Sequence, residues 1–468
     1  MRRWVVWVGI IIAIAVIVIG CLGVFVWGRE AIFGRESDVE IGDGQDVEGG
    51  SSDSVFGDES NEPTQPTPDI DMEEELGVTK MDMSMVSGSN VSLDSFTTDA
   101  VCIEFNNLLN YDINYCSKNI IIPNNVKKVI LKGNNASETV KTLKGLSIII
   151  QERTENLILQ LDAISLYMQT PIYYTGDVGI GIRAINGPCS ISCESECPIN
   201  VKKLSIKVDS ELTVTASDGT AYNADGYAGI TSENFNILGN GKLIVIGGNG
   251  YGWSSYNNGK NGGNGGVAVN AKQLSIEDNC LVKLSGGNGG NGAKGVTGET
   301  GLAGQKGNNE SQGPDSYYEY DGRPGGTGGP GKVGGVGGNG GSAIATERTP
   351  TIAKGVQLYL NSGNGGNGGN GGTGGTGGKG GNGGDDDSFS FIWWGDMSGG
   401  AGGRGGYGGA GGEGGVGGKK GIIATLNGEV LTVPCVYAEE GEDGVNGNKG
   451  ATGAMGANGS HGYAGAGG

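Results

Sequence analysis

From Gly363 to Gly418, glycine fills two of every three positions, broken only by DDDSFSFIWWGDMS in the middle. The residues between the glycine pairs are Asn364, Asn367, Asn370, Thr373, Thr376, Lys379 and Asn382 before the break. After it they are Ala401, Arg404, Tyr407, Ala410, Glu413 and Val416, followed by Lys419. A period of three matches the polyproline II helix, which has three residues per turn. The side chains then form one stripe and glycine forms two bare faces. Such a helix has no internal hydrogen bonds, so every N–H and C=O must find water or a neighbour. Glycine loses the most backbone freedom on ordering, so a single tract stays disordered. Several tracts side by side can satisfy one another, with Cα–H···O contacts adding a little.

The chain supplies several. After Ile246 comes GGNG, then YGWSSYNN, then GKNGGNGG. After Ser285 an arm runs to Gly307, NNESQGPDSYYEYD follows, and a second arm runs from Gly322 to Gly341. After Ser362 the plan repeats around the tryptophan-bearing break, and a last arm runs from Gly441 to Gly468. Each is an outward arm, a polar-aromatic tip and a return arm, except the last, which only goes out. GGX arms leave two open faces and suit the inside of a bundle. The last arm, GVNGNKGATGAMGANGSHGYAG, and the stretch GAKGVTGETGLAGQKG (292–307) keep glycine only at every third residue and suit an edge. Collagen is a competing reading, but it needs abundant proline, and the arms hold only Pro324 and Pro330. Flexible linkers are the other; the strict phase and the matched arms speak against them.

Between the glycine inserts lies a strand repeat. From Asn119 to Val214 the chain reads NIII, KKVILK, LSIII, NLILQL, KKLSIKV and ELTVTA, separated by turn residues. Copies of one unit start at Gly229-Ile230, Gly266-Val267-Ala268-Val269, Ser342-Ala343-Ile344-Ala345 and Gly421-Ile422-Ile423-Ala424. A looser copy starts at Gly181-Ile182-Arg183-Ala184. One unit cannot cover its apolar faces, and stacking like units can. The fold class predicted is all-β: a parallel β-solenoid with polyproline II-type glycine arms inserted, a β-sandwich being the alternative.

Ahead of this come two other segments. Met1-Arg2-Arg3 precedes Trp4 to Gly28, an uncharged run long enough to cross a bilayer, with Trp4, Trp7 and Trp27 near its ends. Arginines before it and acid after it orient the N-terminus to the cytoplasm and the rest outside. A cleaved signal peptide and a lipoprotein, with Val18-Ile19-Gly20-Cys21 as lipobox, are alternatives. From Arg29 to Ser95 there are 18 acidic residues against Arg29, Arg35 and Lys80. That segment reads as a disordered acidic linker. The domains expected are therefore 1–28 membrane anchor, 29–95 linker, 96–246 solenoid and 247–468 glycine-rich arms alternating with solenoid strands. The length of 468 residues suits two or three domains.

The net charge of −20 argues against nucleic acid as partner. Seven cysteines lie beyond the anchor, Cys102, Cys116, Cys189, Cys193, Cys197, Cys280 and Cys435, in what would be an oxidising space. The Cys189-x3-Cys193-x3-Cys197 spacing fits a disulfide-stapled turn better than a zinc site. The single histidine, His461, sits in an arm stripe, so no Ser-His or Cys-His pair can be built elsewhere. No phosphate loop or dinucleotide fingerprint occurs. Carboxylates and arginine on a solenoid can serve polysaccharide chemistry, and Asp209, Asp218, Asp225 and Arg183 are candidates only in that generic sense. No catalytic residue, metal site or cofactor is assigned, and an enzyme is not the expectation.

The tandem GGX tracts joined by tips resemble the polyglycine II bundles of phage tail-fibre adhesins and the glycine-rich repeats of mycobacterial surface proteins. They also resemble a glycine-rich insect antifreeze protein in packing. KLSIKVDSELTVTASDG with GITSENFNILGNGKLIVIGG resembles bacterial β-solenoid carbohydrate-binding modules. The first resemblance implies variable tip loops that contact a receptor. The tips (251–258, 308–321, 385–398) carry Tyr251, Trp253, Tyr256, Tyr317, Tyr318, Tyr320, Phe389, Phe391, Trp393 and Trp394, residue types that anchor interfaces. Asp385, Asp386, Asp387 and Asp396 add polar or calcium-binding potential. An arm of about 21 residues holds a tip about 65 Å from the solenoid. The competing reading is that the aromatics pack together and close the bundle ends. Three functions follow: a membrane-anchored adhesin whose tips bind an extracellular protein or glycan, a structural surface layer, or a carbohydrate-active solenoid. The partners are the bilayer through residues 4–28, that protein or glycan, and, as a further option, a second copy of the chain.

Overall fold

The computed structural model describes residues 77–83, 89–105, 114–133, 142–253, 258–307, 321–385 and 401–463. The segments expected to be a membrane anchor and most of the acidic linker lie outside them. Among the described residues no helix is long and apolar enough to cross a membrane, and none of the secondary structure is α-helical.

Two parallel sheets run the length of the solenoid. Each coil gives one strand to the first sheet and one to the second. In the first, Ala100–Glu104, Lys128–Lys132, Leu157–Asp162, Ile180–Ile185, Lys203–Val208 and Ile230–Leu238 follow in spatial order. The second is ten-stranded among the described residues, and includes Ser165–Met168, Pro188–Cys193, Glu211–Thr215, Lys242–Ile246, Leu281–Ser285 and Gln357–Asn361.

The strands alternate because side chains on a strand alternate faces. In ELTVT, Leu212 and Val214 point inward and are fully buried. Parallel, in-register stacking then lines like residues up. Val101, Val129, Leu159, Ile182, Ile206, Ile237 and Ile276 form one buried column. Leu166, Ile191, Val214, Val245, Leu284 and Leu360 form the facing one. Each such side chain contributes about 1.5–3 kcal/mol on burial, and nothing shorter than a stack of coils would bury it. Gly145 (φ 79°) sits at the register shift where Thr142–Ile150 meets Ser165–Met168.

Three expectations change in detail. The first coil already includes Val78–Asp82 and Asn90–Ser92, so ordered strand begins inside the stretch read as linker. Its Met83, Val91 and Leu93 reach the core despite the acidic surroundings. The copies at Ile230, Val269, Ile344 and Ala424 are in register with one another, but the earlier partner of Ile230 is Ile199. Ile180–Ile185 instead pairs with Lys203–Val208. The disulfide-stapled turn does not form: Cys189, Cys193 and Cys197 are free thiols, as are Cys102, Cys280 and Cys435. Cys189 and Cys193 lie four residues apart on one extended strand, roughly 13 Å, too far for a disulfide.

Candidate functional site

All the glycine inserts leave the solenoid at one corner, between the second-sheet strand of a coil and the first-sheet strand of the next. The second sheet simply continues into the outward arms. Ser285 pairs with Asn361 in the sheet, and the N–H groups of Gly286, Gly289, Gly292 and Gly295 then donate to the carbonyls of Asn361, Asn364, Asn367 and Asn370. The same three-residue rhythm links the third outward arm to the last one, from Gly365 to Glu442 O through Gly383 to Ser460 O. Return arms pair likewise, Gly325 with Arg404 O and Gly340 with Lys419 O. The second glycine of each pair bonds across to an antiparallel arm, as Gly375 does to Gly329 O and Gly409 to Gly375 O. The arms thus form two layers, one outward and one returning, joined through their backbones.

Glycine is needed where an arm has neighbours on both sides. A Cβ on Gly375 would stand 1.8 Å from the carbonyl oxygen of Glu299, and one on Gly374 1.8 Å from that of Gly409. Past the described end of a neighbouring arm, glycine gives way. The first outward arm is described to Trp253, whose N–H donates to Asn291 O. Immediately beyond, the second outward arm replaces the second glycine of each pair with Ala293, Val296, Glu299, Leu302 and Gln305. Leu302 is 83% exposed. In the last arm the other glycine is replaced, by Asp443, Asn446, Lys449, Thr452, Met455, Asn458 and His461. Those side chains occupy the side on which a further outward arm would lie. Asp443, Asn446 and Asn458 accept hydrogen bonds from the N–H groups of Lys420, Gly417 and Gly405 on the return arm. The position of the missing glycine therefore marks which side is open.

The stripe asparagines have a role that the period did not reveal. The Oδ1 atoms of Asn364, Asn367 and Asn370 accept from the N–H groups of Glu442, Val445 and Asn448. Asn288 and Asn291 do the same for Asn364 and Asn367. Asp218 and Asp225, generic carboxylate candidates from the sequence, start this series by accepting from Asn249 N–H and Asn264 N–H. Asp209 pairs with Arg183 at 2.7 Å. Pro324 and Pro330, which have no N–H, take stripe positions on the return arm beyond the reach of the first arm's Asn261 and Asn264, which serve Val336 and Asn339.

Of the tip aromatics, Tyr251 and Trp253 are described. Their rings meet edge to face at 4.9 Å, and the Lys260 ammonium lies 4.3 Å from the centre of the Trp253 ring. Trp253 is buried. Tyr256, Tyr317, Tyr318, Tyr320, Phe389, Phe391, Trp393 and Trp394 lie outside the described residues, as do Asp386, Asp387 and Asp396. Asp385 bonds Lys306 at 2.8 Å and accepts from the Tyr463 N–H. Those two hydrogen bonds hold its carboxyl below the usual range. His461 is exposed, but it takes a glycine position on the open side of the last arm and not the stripe, which runs through Ser460 and Tyr463. Among the described residues no group of His, Cys, Asp and Glu is placed to hold a metal.

A second feature lies on the solenoid wall. Ile172–Tyr174, Ile199–Val201 and the first residues of Ile230–Leu238 and Val269–Ile276 stack as a third face. Its outward row is Tyr173, Asn200, Thr231, Asn270 and Ala345. Beside that row the chain bends at Lys202, Glu233, Lys272 and Glu347. A groove of about 420 Å³ runs between, lined by these four and by Thr175, Asn200, Thr231 and Asn270 among others. Asp177 bonds Lys202 at 2.7 Å and Glu233 bonds Lys272 at 2.9 Å, which raises both lysine pKa values through the carboxylate hydrogen bond. The sequence shows this site once INVKK, ITSEN, VNAKQ and IATER are aligned by register. Placing the looser copy at Gly181 instead of Ile199 leaves INVKK out of that alignment.

No family model, curated protein or solved structure matches the chain.

Proposed function

We propose that the chain is a membrane-anchored surface protein that presents aromatic loops to an extracellular protein or glycan, with the arms forming a polyglycine II bundle. The observation that carries the reading is the paired outward and returning arms, whose backbones bond to one another at every third residue. Such bonding fixes the height of each tip. The first arm reaches about 20 Å and the second and third about 70 Å, so the loops they carry would begin at different distances from the solenoid. The aromatic residues are concentrated where the sequence turns back, which is where contact with a partner is least hindered. Residues 4–28 serve as the anchor and residues 29 to about 76 as an acidic spacer that repels other anionic surfaces.

The test is Trp393→Ala with Trp394→Ala in the intact protein, scored for binding to host cells and to a glycan array. Loss of binding with an unchanged thermal melt supports presentation. Unchanged binding refutes it. A structural layer is the second reading, favoured by the Tyr251–Trp253–Lys260 packing. Under it the same double substitution lowers the melting temperature and no ligand is found.

A further inference from the structure

We propose that the groove on the third face of the solenoid binds a neutral, extended oligosaccharide, independently of the tips. Three observations converge on it. The first is length. Tyr173, Asn200, Thr231, Asn270 and Ala345 occupy one register position on five successive coils. At about 4.8 Å per coil the row spans about 19 Å, enough for several sugar rings laid across the coils. A compact metabolite would leave most of it uncovered.

The second is chemistry. Asn200 and Asn270 provide amide donors and acceptors, and Thr175, Thr231 and Ser232 provide hydroxyls, the complement of a polyol. The Ser232 hydroxyl proton lies within reach of the carbonyls of Lys202 and Asn234, which leaves its oxygen as an acceptor. Tyr173 extends the row one coil beyond the groove with its side chain 54% exposed. It is an aromatic face suited to the C–H side of a sugar ring, with a hydroxyl at its edge.

The third is charge. The bend beside the row reads Asp177, Lys202, Glu233, Lys272, Glu347, alternating in sign from coil to coil. The four that line the groove, Lys202, Glu233, Lys272 and Glu347, sum to zero. Two ion pairs, Asp177–Lys202 and Glu233–Lys272, bind the ladder together. A groove for a polyanion would present unopposed lysine or arginine; this one offers hydrogen bonds without a net field. That selects a neutral glycan over an acidic one. Of the two carboxylates that line it, Glu233 is hydrogen-bonded to Lys272, and the role proposed for the groove is to hold its ligand, not to cleave it.

The experiment is affinity electrophoresis and titration calorimetry of the full-length protein. The probes are linear neutral hexasaccharides (β-1,4-glucose, β-1,3-glucose, β-1,4-xylose, β-1,4-mannose and α-1,4-glucose) with oligogalacturonate as the acidic control. Binding of at least one neutral probe, weakened tenfold or more by Tyr173→Ala and by Asn270→Ala but not by the Trp393→Ala/Trp394→Ala pair, is the expected result. Tyr173, next to the groove in the row, and Asn270, in the groove, are both exposed, so neither substitution threatens the fold, and an unchanged melt verifies this. Thr231→Arg, which fills the middle of the row, should abolish the same binding. Three outcomes overturn the proposal: no neutral probe binds, binding survives all three groove substitutions, or only oligogalacturonate binds. Loss of binding only in the tip variant would assign the glycan to the tips instead.

Discussion

The side-chain oxygen of Asn367 accepts a hydrogen bond of 2.8 Å from the backbone N–H of Val445, 78 residues further along the chain. Asn367 in turn gives its own N–H to Asn291 Oδ1, 76 residues earlier. The glycines bring the arms together, but each stripe N–H points along the layer surface, where no carbonyl of the neighbouring arm reaches it. An asparagine one arm back reaches it. Asn367→Ala should therefore cost about 0.5–1.5 kcal/mol and speed hydrogen exchange at Val445 more than at Gly444, whose N–H is held by Gly418 O. Exchange measured by NMR or mass spectrometry checks this.

Position within the lattice decides what a glycine substitution does. Gly375→Ala places a Cβ 1.8 Å from a carbonyl oxygen, whereas Gly326→Ala meets its nearest atom, the Leu302 amide nitrogen, at 3.1 Å. The first should destabilise by at least about 1–3 kcal/mol, as overpacking does, and loosen arms on both sides. The second should cost markedly less. Thermal melts of the two variants provide the comparison.

The last arm closes the lattice much as charged or kinked edge strands close a sheet. Replacing Lys449, Thr452 and Met455 together by glycine removes the side chains that stand at the open side. The variant should associate in a concentration-dependent manner, seen by sedimentation, while the natural chain under the same conditions should not do so through this edge.

Acid should loosen the far end first. Asp385 is held below its ordinary pKa by Lys306 and by the Tyr463 N–H. A depressed carboxyl contributes stability that is complete above the unfolded value, about 3.9, and is lost as pH falls through the folded one. Exchange at Tyr463 should rise below about pH 4. Asp385→Asn should remove that pH dependence while keeping an acceptor for the amide. The size of the effect will be small, because the group is exposed.

The cysteines should differ sharply in reactivity. Burial pushes the Cys280 thiol up to about 11, and it raises Cys189 and Cys193 as well. Cys435 is exposed. Alkylation at pH 8 should label Cys435 quickly and the three buried thiols only after denaturation, since the thiolate is the reacting species. Mass spectrometry of the labelled peptides resolves the order.

What the sequence by itself determined is local and periodic. Alternation in KLSIKV and ELTVT sets which faces are apolar, and a glycine at two positions in three leaves an arm with two faces that only another backbone can cover. Stacking follows from both, because neither unit can satisfy itself. The tertiary structure decided register and neighbourhood. It aligned Ile199 rather than Ile182 with Ile230, since pairing depends on where each corner bends and not on similarity of short strings. It brought Asn367 beside Val445, and Tyr173 into line with Asn200, Thr231 and Asn270, because the inserts all leave one corner and coils repeat at a fixed spacing. Long-range partners of this kind are set by the number of residues in each excursion, a quantity whose consequence appears only when the coils are closed.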